Sequence, residues 1–316
     1  LVLRTPVAGL TQELAEFVAA LEFTQLPAQA IETVKRGAID CVGVLIAGRG
    51  EPVVKILRKE IGSGPNGEAH LLFTAERASA LDAALINTAA AHALDYDDTG
   101  IDGHPSVVLV PVMLAEGERL GASGADLITA YVAGYETWAE LVGCDADKHH
   151  AKGWHPTAVF GTIAAAAAAA RLARLDSARI AHALGIAASM ASGLVANFGS
   201  MTKPYQVARA VQNGMVAARL AAGGMTASPD AIEHRSGFLQ AVSPQGRVRV
   251  DGDIAAGRDW HILRHGLNIK RYPVCYGVHR AIDAALGLVV HHNVRPDAVA
   301  AIEVRIGRHQ AGMLRH

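Results

Sequence analysis

Long segments that are apolar on every side constrain the fold of this chain more than any other feature. They comprise residues 78–95, the segment that follows Pro105, and residues 125–142, 156–175 and 178–191. A helix that is apolar all round needs neighbours on several sides, so these segments predict a broad helical core. One of them contains seven consecutive alanines, Ala164 to Ala170, and such small side chains favour close helix packing.

The opening of the chain predicts amphipathic helices instead. Apolar residues recur three and four positions apart in residues 10–21, 28–46 and 53–60. After about residue 221, Gly and Pro become frequent, and near the end Ile302, Val304 and Ile306 alternate with other residues at the period of a strand. We therefore predict a mainly α chain followed by an α+β segment. Because the chain begins with Leu1 and stops where the strand pattern starts, we expect further residues at both ends.

The composition excludes several classes of partner. The 316 residues carry 29 Lys and Arg against 30 Asp and Glu, which leaves no positive field for nucleic acid. Residues 157–170 and 180–201 are too short or too polar for the roughly 20 apolar residues of a membrane span, so no membrane is expected. Cys41, Cys144 and Cys275 suit neither a disulfide framework nor a Cys-x-x-Cys metal site, which favours a reducing compartment and hence the cytoplasm.

The polar chemistry is concentrated in four short segments. They are residues 95–99 with 104–106, residues 152–157, residues 200–205 and residues 269–275. In the first, a helix that continued to Asp95 would place His92, Asp95 and Thr99 on one face, with Asp97 and Asp98 pointing elsewhere. The alternative is a helix end with solvated aspartates.

Two of these segments contain a His-Pro pair. His104 and His155 each precede a proline, a hydroxyl residue and a long apolar stretch. Proline favours the first helical position, so each histidine is predicted at or near an N-cap, where free backbone N–H groups and the helix dipole favour an anion. The same field lowers the pKa of a histidine, which keeps the ring neutral and able to accept a proton. The alternative is that each pair only starts a helix.

Cations mark the other two segments. Thr202 is predicted as an N-cap and Pro204 as a first-turn proline, so that Lys203 projects from a helix N-terminus. Lys270 and Arg271 are adjacent cations close to a cysteine. Because the chain has only seven lysines, two of them in such apolar-flanked turns indicate a binding role. Taken singly, each lysine would be assigned to a solvated face.

Together these motifs resemble those of the MmgE/PrpD family, in the same order along nearly the whole chain. The motifs are Asp95-x-Asp97-Asp98-Thr99 with His104-Pro105-Ser106, Trp154-His155-Pro156-Thr157, Thr202-Lys203-Pro204 with Asn213-Gly214, and Lys270-Arg271-Tyr272-Pro273. The resemblance implies a large all-helical domain, residues 1–265, and a smaller α+β lid domain that starts within residues 266–316. It also implies a homodimer and an active site between domain and lid that uses neither metal nor cofactor.

The resemblance implies a function as well. Family members act on small di- or tricarboxylates by dehydrating 2-methylcitrate, decarboxylating cis-aconitate or epimerising iminodisuccinate, and each reaction moves a proton at the carbon α to a carboxylate. Dehydratases have Asp-Phe-Asn-Asp where this chain has Asp-Tyr-Asp-Asp, which favours the decarboxylase and epimerase branches. We therefore predict a cofactor-independent lyase or isomerase, foremost one that resembles the decarboxylase, with the dehydratase and the epimerase as alternatives.

Site residues carry over from the family motifs one by one. The match to the decarboxylase active site covers Asp95, Thr99, His104, His155, Lys203 and Lys270. His104, oriented by Asp95, is the implied acid–base group, with His155 as the second. The implied carboxylate ligands are Lys203, Lys270 and Arg271, and Thr99, Tyr272 and Cys275 complete the substrate-binding set. The sequence departs from the decarboxylase pattern at two points, which leaves the exact reaction open. Cys275 stands in place of a histidine, and the spacing from Asp95 to His104 is one residue shorter.

Three other interpretations stay open. Asp-x-Asp-Asp is also the general-acid motif of class II terpene cyclases, but 6 Phe, 3 Trp and 6 Tyr are few for a cavity that stabilises carbocations. A metal-dependent hydrolase would use Asp97, Asp98, His149, His150 and His155, although no fixed ligand spacing supports it. A truncated family member with an incomplete lid would be inactive, because its pocket would be open to water.

Overall fold

A computed structural model describes residues 9–62, 67–250 and 254–307, and these residues are mainly helical. Their α-helices are α1 (Leu10–Ala20), α2 (Ala28–Gly48), α3 (Pro52–Ile61), α4 (Ala80–His92), α5 (Pro105–Leu120), α6 (Gly124–Gly143), α7 (Pro156–Leu172), α8 (Ser177–Met190), α9 (Thr202–Ala222), α10 (Phe238–Val242), α11 (His261–His265) and α12 (His279–His292). Single turns of 3₁₀ helix lie at Phe23–Gln25, His149–Lys152, Val195–Asn197, Tyr276–Val278 and Pro296–Ala298. The two short strands β1 (Ala69–His70) and β2 (Arg77–Ala78) pair antiparallel, with Ala69 opposite Ala78. The predicted mainly α class is confirmed.

Helix α7 forms the centre of the core. Every one of its residues is buried, and it packs against α5, α6, α8 and α9. An added Cβ on Gly214 of α9 would lie 2.5 Å from the carbonyl oxygen of Thr162 and 2.5 Å from the Cβ of Ala165. Because glycine faces alanine at this crossing, the two backbones approach closely, as the alanine run predicts. Within the described ranges, no helix combines the length and the apolar character that a membrane span requires.

Two helices that carry the site begin at the predicted prolines. Pro105 and Pro156 occupy the first positions of α5 and α7, and His104 and His155 are the N-cap residues. Neither histidine makes a side-chain capping hydrogen bond, so its ring is available for other contacts. The predicted N-cap positions of both histidines are confirmed.

Helix α9 begins one residue earlier than predicted. Thr202 is its first residue and Met201 its N-cap, so the prediction of Thr202 as the N-cap is wrong. Ser200 Oγ accepts a hydrogen bond from the Thr202 N–H at 3.3 Å, which satisfies a free donor at this end of the helix. Lys203 therefore lies in the first turn.

Helix α4 ends earlier than predicted. Its last residue is His92, and Asp95 has a φ of 49°, which lies in the left-handed region and not in a right-handed helix. The prediction that His92, Asp95 and Thr99 share one helix face is therefore wrong. The turn that replaces this part of the helix brings Asp97 and Asp98 into the interior, where both are fully buried.

The last described residues do not form the predicted strand. Ile302, Val304 and Ile306 are exposed, and Ile302 keeps 78% of its surface accessible. A strand requires a partner for its backbone N–H and C=O groups, and no described residue pairs with this segment. The α+β lid predicted for residues 266–316 stays a prediction, and residues 308–316 lie outside the described part of the chain.

Candidate active site

A cavity of about 1190 Å³ opens where the N-termini of α5, α7 and α9 meet the loop that follows α4. Six of the nine predicted site residues line this cavity: Asp95, Thr99, His104, His155, Lys203 and Cys275. A seventh, Lys270, lies behind the wall and contacts Asp95. The sequence motifs that lie far apart along the chain thus meet in one place.

Asp97 lies between two imidazoles. Its Oδ2 is 3.0 Å from His104 Nδ1, and its Oδ1 and Oδ2 are 2.9 and 3.0 Å from His92 Nδ1. Burial alone would raise the pKa of Asp97, but the two adjacent histidines hold it well below the usual range, so the carboxylate is ionised. The His104 ring is thus in close contact with an ionised carboxylate, although its Nδ1 lacks the alignment of a hydrogen bond.

Asp95 is paired with two lysines. Its Oδ2 lies 2.7 Å from Lys203 Nζ and its Oδ1 lies 2.7 Å from Lys270 Nζ, while His104 Nε2 is 3.8 Å away. Burial raises the pKa of Asp95, but the charges of Lys203, His104 and Lys270 outweigh this effect and lower it below the usual range. Asp95 thus contacts both lysines more closely than it contacts His104, while Asp97 lies nearer to the ring, and the predicted orienting role of Asp95 stays a prediction.

His155 is held in one tautomer by Gln206. Leu194 N–H donates to Gln206 Oε1 at 2.9 Å, so the amide nitrogen of Gln206 faces His155 and donates to Nδ1 at 2.7 Å. Burial lowers the pKa of His155 well below its usual value, and the nearby His92 and Lys203 add to this effect, so the ring is neutral at pH 7. Its single proton is then on Nε2. The sequence predicts a lowered pKa for His155 from the field of the helix N-terminus, whereas burial is the main cause of the lowering here.

Asp98 braces the loop that carries Asp95 and Asp97. Its carboxyl group accepts from the Ser106 N–H at 3.2 Å and contacts Ser106 Oγ, which lies 2.8 Å from the Tyr131 hydroxyl. The Asp98 N–H donates to Asp40 Oδ2 at 3.1 Å. Burial, with the neighbouring Asp97 and Asp40 charges, raises the pKa of Asp98 to about 8. This brace ties the loop to the first turn of α5 and so fixes Asp97 relative to His104.

Two predicted substrate ligands do not reach the cavity. Arg271 and Tyr272 both contact Asp283, with Arg271 Nη1 at 3.6 Å and the Tyr272 hydroxyl donating at 2.7 Å. The Arg271 side chain keeps 75% of its surface exposed. The side chains of these two residues therefore lie away from that of Lys270, which is buried behind the cavity.

The polar groups that could hold a metal ion are paired with neighbouring side chains in this structure. His92, Asp95, Asp97 and His104 each offer an N or O atom, and these atoms lie within 4.8 Å of one another. However, the two Asp95 oxygens each contact an ammonium group, and both Asp97 oxygens contact His92 Nδ1. The alternative ligand set of the predicted hydrolase is dispersed, since Asp98 bonds to Ser106 and the buried His149 packs on Phe160.

The sequence analysis assigns no role in substrate chemistry to three residues of the site, which are His92, Asp97 and Gln206. The helix pattern predicts that Asp97 points away from Asp95, which is wrong, and it places His92 only on a helix face with Asp95. Gln206 carried one usable signal, because it lies three residues after Lys203 and so on the same face of the first turns of α9.

The chain belongs to the MmgE/PrpD family. The model of the MmgE/PrpD N-terminal domain matches residues 12–251. The family predicted from the motifs is thereby confirmed.

Three relatives of this chain are named cis-aconitate decarboxylase. Cis-aconitate decarboxylase of Mus musculus is 30% identical over 305 residues, which cover 92% of this chain and 60% of that protein. Cis-aconitate decarboxylase of Homo sapiens is 30% identical over 296 residues, 90% of this chain and 60% of that protein. Cis-aconitate decarboxylase of Aspergillus terreus is 27% identical over 296 residues, 88% of this chain and 59% of that protein. The chain thus spans about 60% of the length of these relatives.

Proposed function

We propose that this cavity is the active site of a lyase that binds a small di- or tricarboxylate and moves a proton at the carbon α to a carboxylate. The observation that carries the proposal is a cavity in which two imidazoles and a lysine come together. His104 contacts the ionised Asp97 through Nδ1, whereas His155 accepts from Gln206 at Nδ1 and so carries its proton on Nε2. The named relatives support decarboxylation of cis-aconitate as the specific reaction.

Cationic groups suit the carboxylates of such a substrate. Lys203 lines the cavity from the first turn of α9, and its Nζ lies 2.7 Å from Asp95 Oδ2. The N-termini of α5 and α7 add the positive end of each helix dipole. One substrate carboxylate would therefore bind at Lys203 beside Asp95, and a second at the N-terminus of α7, where His155 Nε2–H donates to it.

The proton step falls to His104. In a decarboxylation, His104 first takes up a proton from the solution. The bond to the departing CO₂ then breaks, its electron pair stays on the carbon, and His104 delivers that proton from Nε2 to the carbon. Asp97 stabilises the charged imidazole on the other side of the ring. In a dehydration or an epimerisation, the neutral ring would first remove the proton, so the same pair of side chains serves all three reactions.

The wider family expectations are proposed with this function. They are the absence of a cofactor, the homodimer, the α+β lid of residues 266–316 and the cytoplasmic location. The family membership supports the first three, and the scattered cysteines support the last.

Proton NMR in D₂O tests the proposal. The full-length protein is incubated separately with cis-aconitate, 2-methylcitrate and iminodisuccinate, each with a chelator present. Itaconate, methylaconitate or solvent deuterium at the α carbon would identify decarboxylation, dehydration or epimerisation. Activity that appears only when a divalent metal is added would contradict the proposal and favour the hydrolase, and no reaction with any of the three would reject these substrates.

A substitution of the proposed acid–base group completes the test. His104→Asn should lower turnover about 100-fold or more, because the acid–base group is lost. The thermal midpoint should change little, since asparagine is a good N-cap and His104 makes no capping bond. Normal turnover by this variant would rule out His104 as the acid–base group.

A further inference from the structure

Asp97 has a second imidazole partner that the proposed chemistry does not use. His92 is the last residue of α4, and its side chain is completely buried. Its Nδ1 lies within 3.0 Å of both Asp97 oxygens. Asp97 therefore hydrogen-bonds on one side to a ring buried in the core and on the other side contacts His104, which lines the cavity, at 3.0 Å.

Neighbouring rings prevent His92 from turning. The His155 ring stacks at a centroid distance of 6.0 Å and an angle of 20°, and the His104 ring meets it edge-on at 4.9 Å. Helix α4 itself is buried over most of its length. His92 thus gives Asp97 a rigid anchor, whereas the Asp97 backbone belongs to a loop with a left-handed residue at Asp95.

The state of His92 suits an anchor and not a proton carrier. Burial lowers its pKa more than the adjacent Asp97 raises it, so the ring is neutral at pH 7. Its single proton is on Nδ1, where the ionised carboxylate accepts it. Nε2 is buried and has no hydrogen-bond partner among the described residues.

We propose that His92 is a positioning residue that fixes Asp97 in the orientation that holds His104 for proton transfer. This inference rests on the proposed role of His104. Without the Nδ1–H donor, Asp97 loses the bond that fixes both of its oxygens, and the His104 ring is no longer confined. Because misplacement of a catalytic group by about 1 Å can cost about 100-fold in rate, the effect falls on turnover and not on binding.

Three variants test this role. His92→Leu removes the donor, while His92→Asn keeps an N–H near the position of Nδ1 and removes Nε2. His149→Leu is the matched control, because His149 is an equally buried imidazole that does not line the cavity. We expect kcat to fall about 100-fold in His92→Leu with KM within about twofold of the wild type, and His92→Asn to recover most of the loss. The His149→Leu control should keep its kcat.

Two outcomes would overturn the proposal. Wild-type kcat in a folded His92→Leu variant would remove any role, and a His92→Asn variant as inactive as His92→Leu would show that Nε2 takes part in the chemistry.

Nitrogen-15 NMR of the histidines reports the tautomer of each ring directly. It requires neither turnover nor the His92→Leu variant, which could fold poorly. In the wild type at pH 7, His92 should be a neutral ring protonated on Nδ1, and protonation on Nε2 would contradict the anchor. In His92→Asn the His104 signals should keep their wild-type tautomer. If no substrate reacts but these signals behave as expected, the proposed function fails while the anchor stands.

Discussion

Replacement of Gly214 by alanine tests the helix crossing at the centre of the core. The new Cβ would lie 2.5 Å from the Thr162 carbonyl oxygen, 2.5 Å from the Ala165 Cβ and 2.7 Å from the Ala166 nitrogen. Two of these atoms belong to the backbone and the third is a Cβ, so no side-chain rotation relieves the contact. Helices α7 and α9 would have to separate along a surface that is buried throughout.

The expected cost follows from two opposing effects. Overpacking of a dense core costs up to about 3 kcal/mol when nothing can rotate away. Alanine in place of glycine in a helix returns about 1 kcal/mol. The free energy of unfolding should therefore fall by about 2 kcal/mol, which corresponds to a decrease of about 5 °C in the thermal midpoint.

Gly43→Ala is the matched control. Gly43 lies within α2, is exposed, and has no atom within 4 Å of a built Cβ. Only the helix-propensity gain applies, so this variant should be more stable by about 0.5–1 kcal/mol. Thermal unfolding followed by circular dichroism compares the two variants with the wild type. If Gly214→Ala unfolds at or above the wild-type midpoint while Gly43→Ala behaves as expected, the close contact of α7 and α9 is refuted.

Two further predictions concern the site. Folding raises the pKa of Asp98 from 3.8 to about 8, so the stability that its proton confers is fully present below pH 3.8 and is lost as the pH rises towards 8. Asp98→Asn mimics the protonated acid. In urea unfolding, the free energy of unfolding of the variant relative to the wild type should increase between pH 5 and 8, by up to about 1.4 kcal/mol per pH unit. A difference that does not change with pH would contradict the raised pKa. Cys275 lines the cavity, whereas Cys41 is buried, and burial raises the pKa of the Cys144 thiol to about 12. A thiol reagent at pH 8 should therefore label Cys275 first. A bound tricarboxylate should slow that labelling, and unchanged labelling would place the carboxylate elsewhere.

The sequence predicts the helical core and most of the cavity wall because both depend on local signals. All-round apolar segments and the alanine run require buried helices, and the prolines after His104 and His155 fix where two of them begin. The family motifs then indicate which polar side chains meet.

Local sequence signals do not predict that Asp95 contacts the two lysines while Asp97 contacts the two histidines. It depends on the left-handed φ of Asp95, which a non-glycine residue adopts only in a particular tertiary context. The outward position of Arg271 has a similar origin, because neighbouring side chains outside a helix point in different directions and Lys270 takes the inner side. The strand expected at residues 302–306 requires a partner that periodicity alone cannot supply.

The pairing of Asp95 with Lys203 and Lys270 has a consequence for ligand binding. Two ammonium groups and the carboxylates of Asp95 and Asp97 stand together, so their formal charges cancel. A polyanion that enters such a balanced cluster favours the uptake of protons from the solution, since each added negative charge stabilises the protonated form of its neighbours. The heat of substrate binding would then vary with the ionisation enthalpy of the buffer, and the affinity would increase as the pH falls.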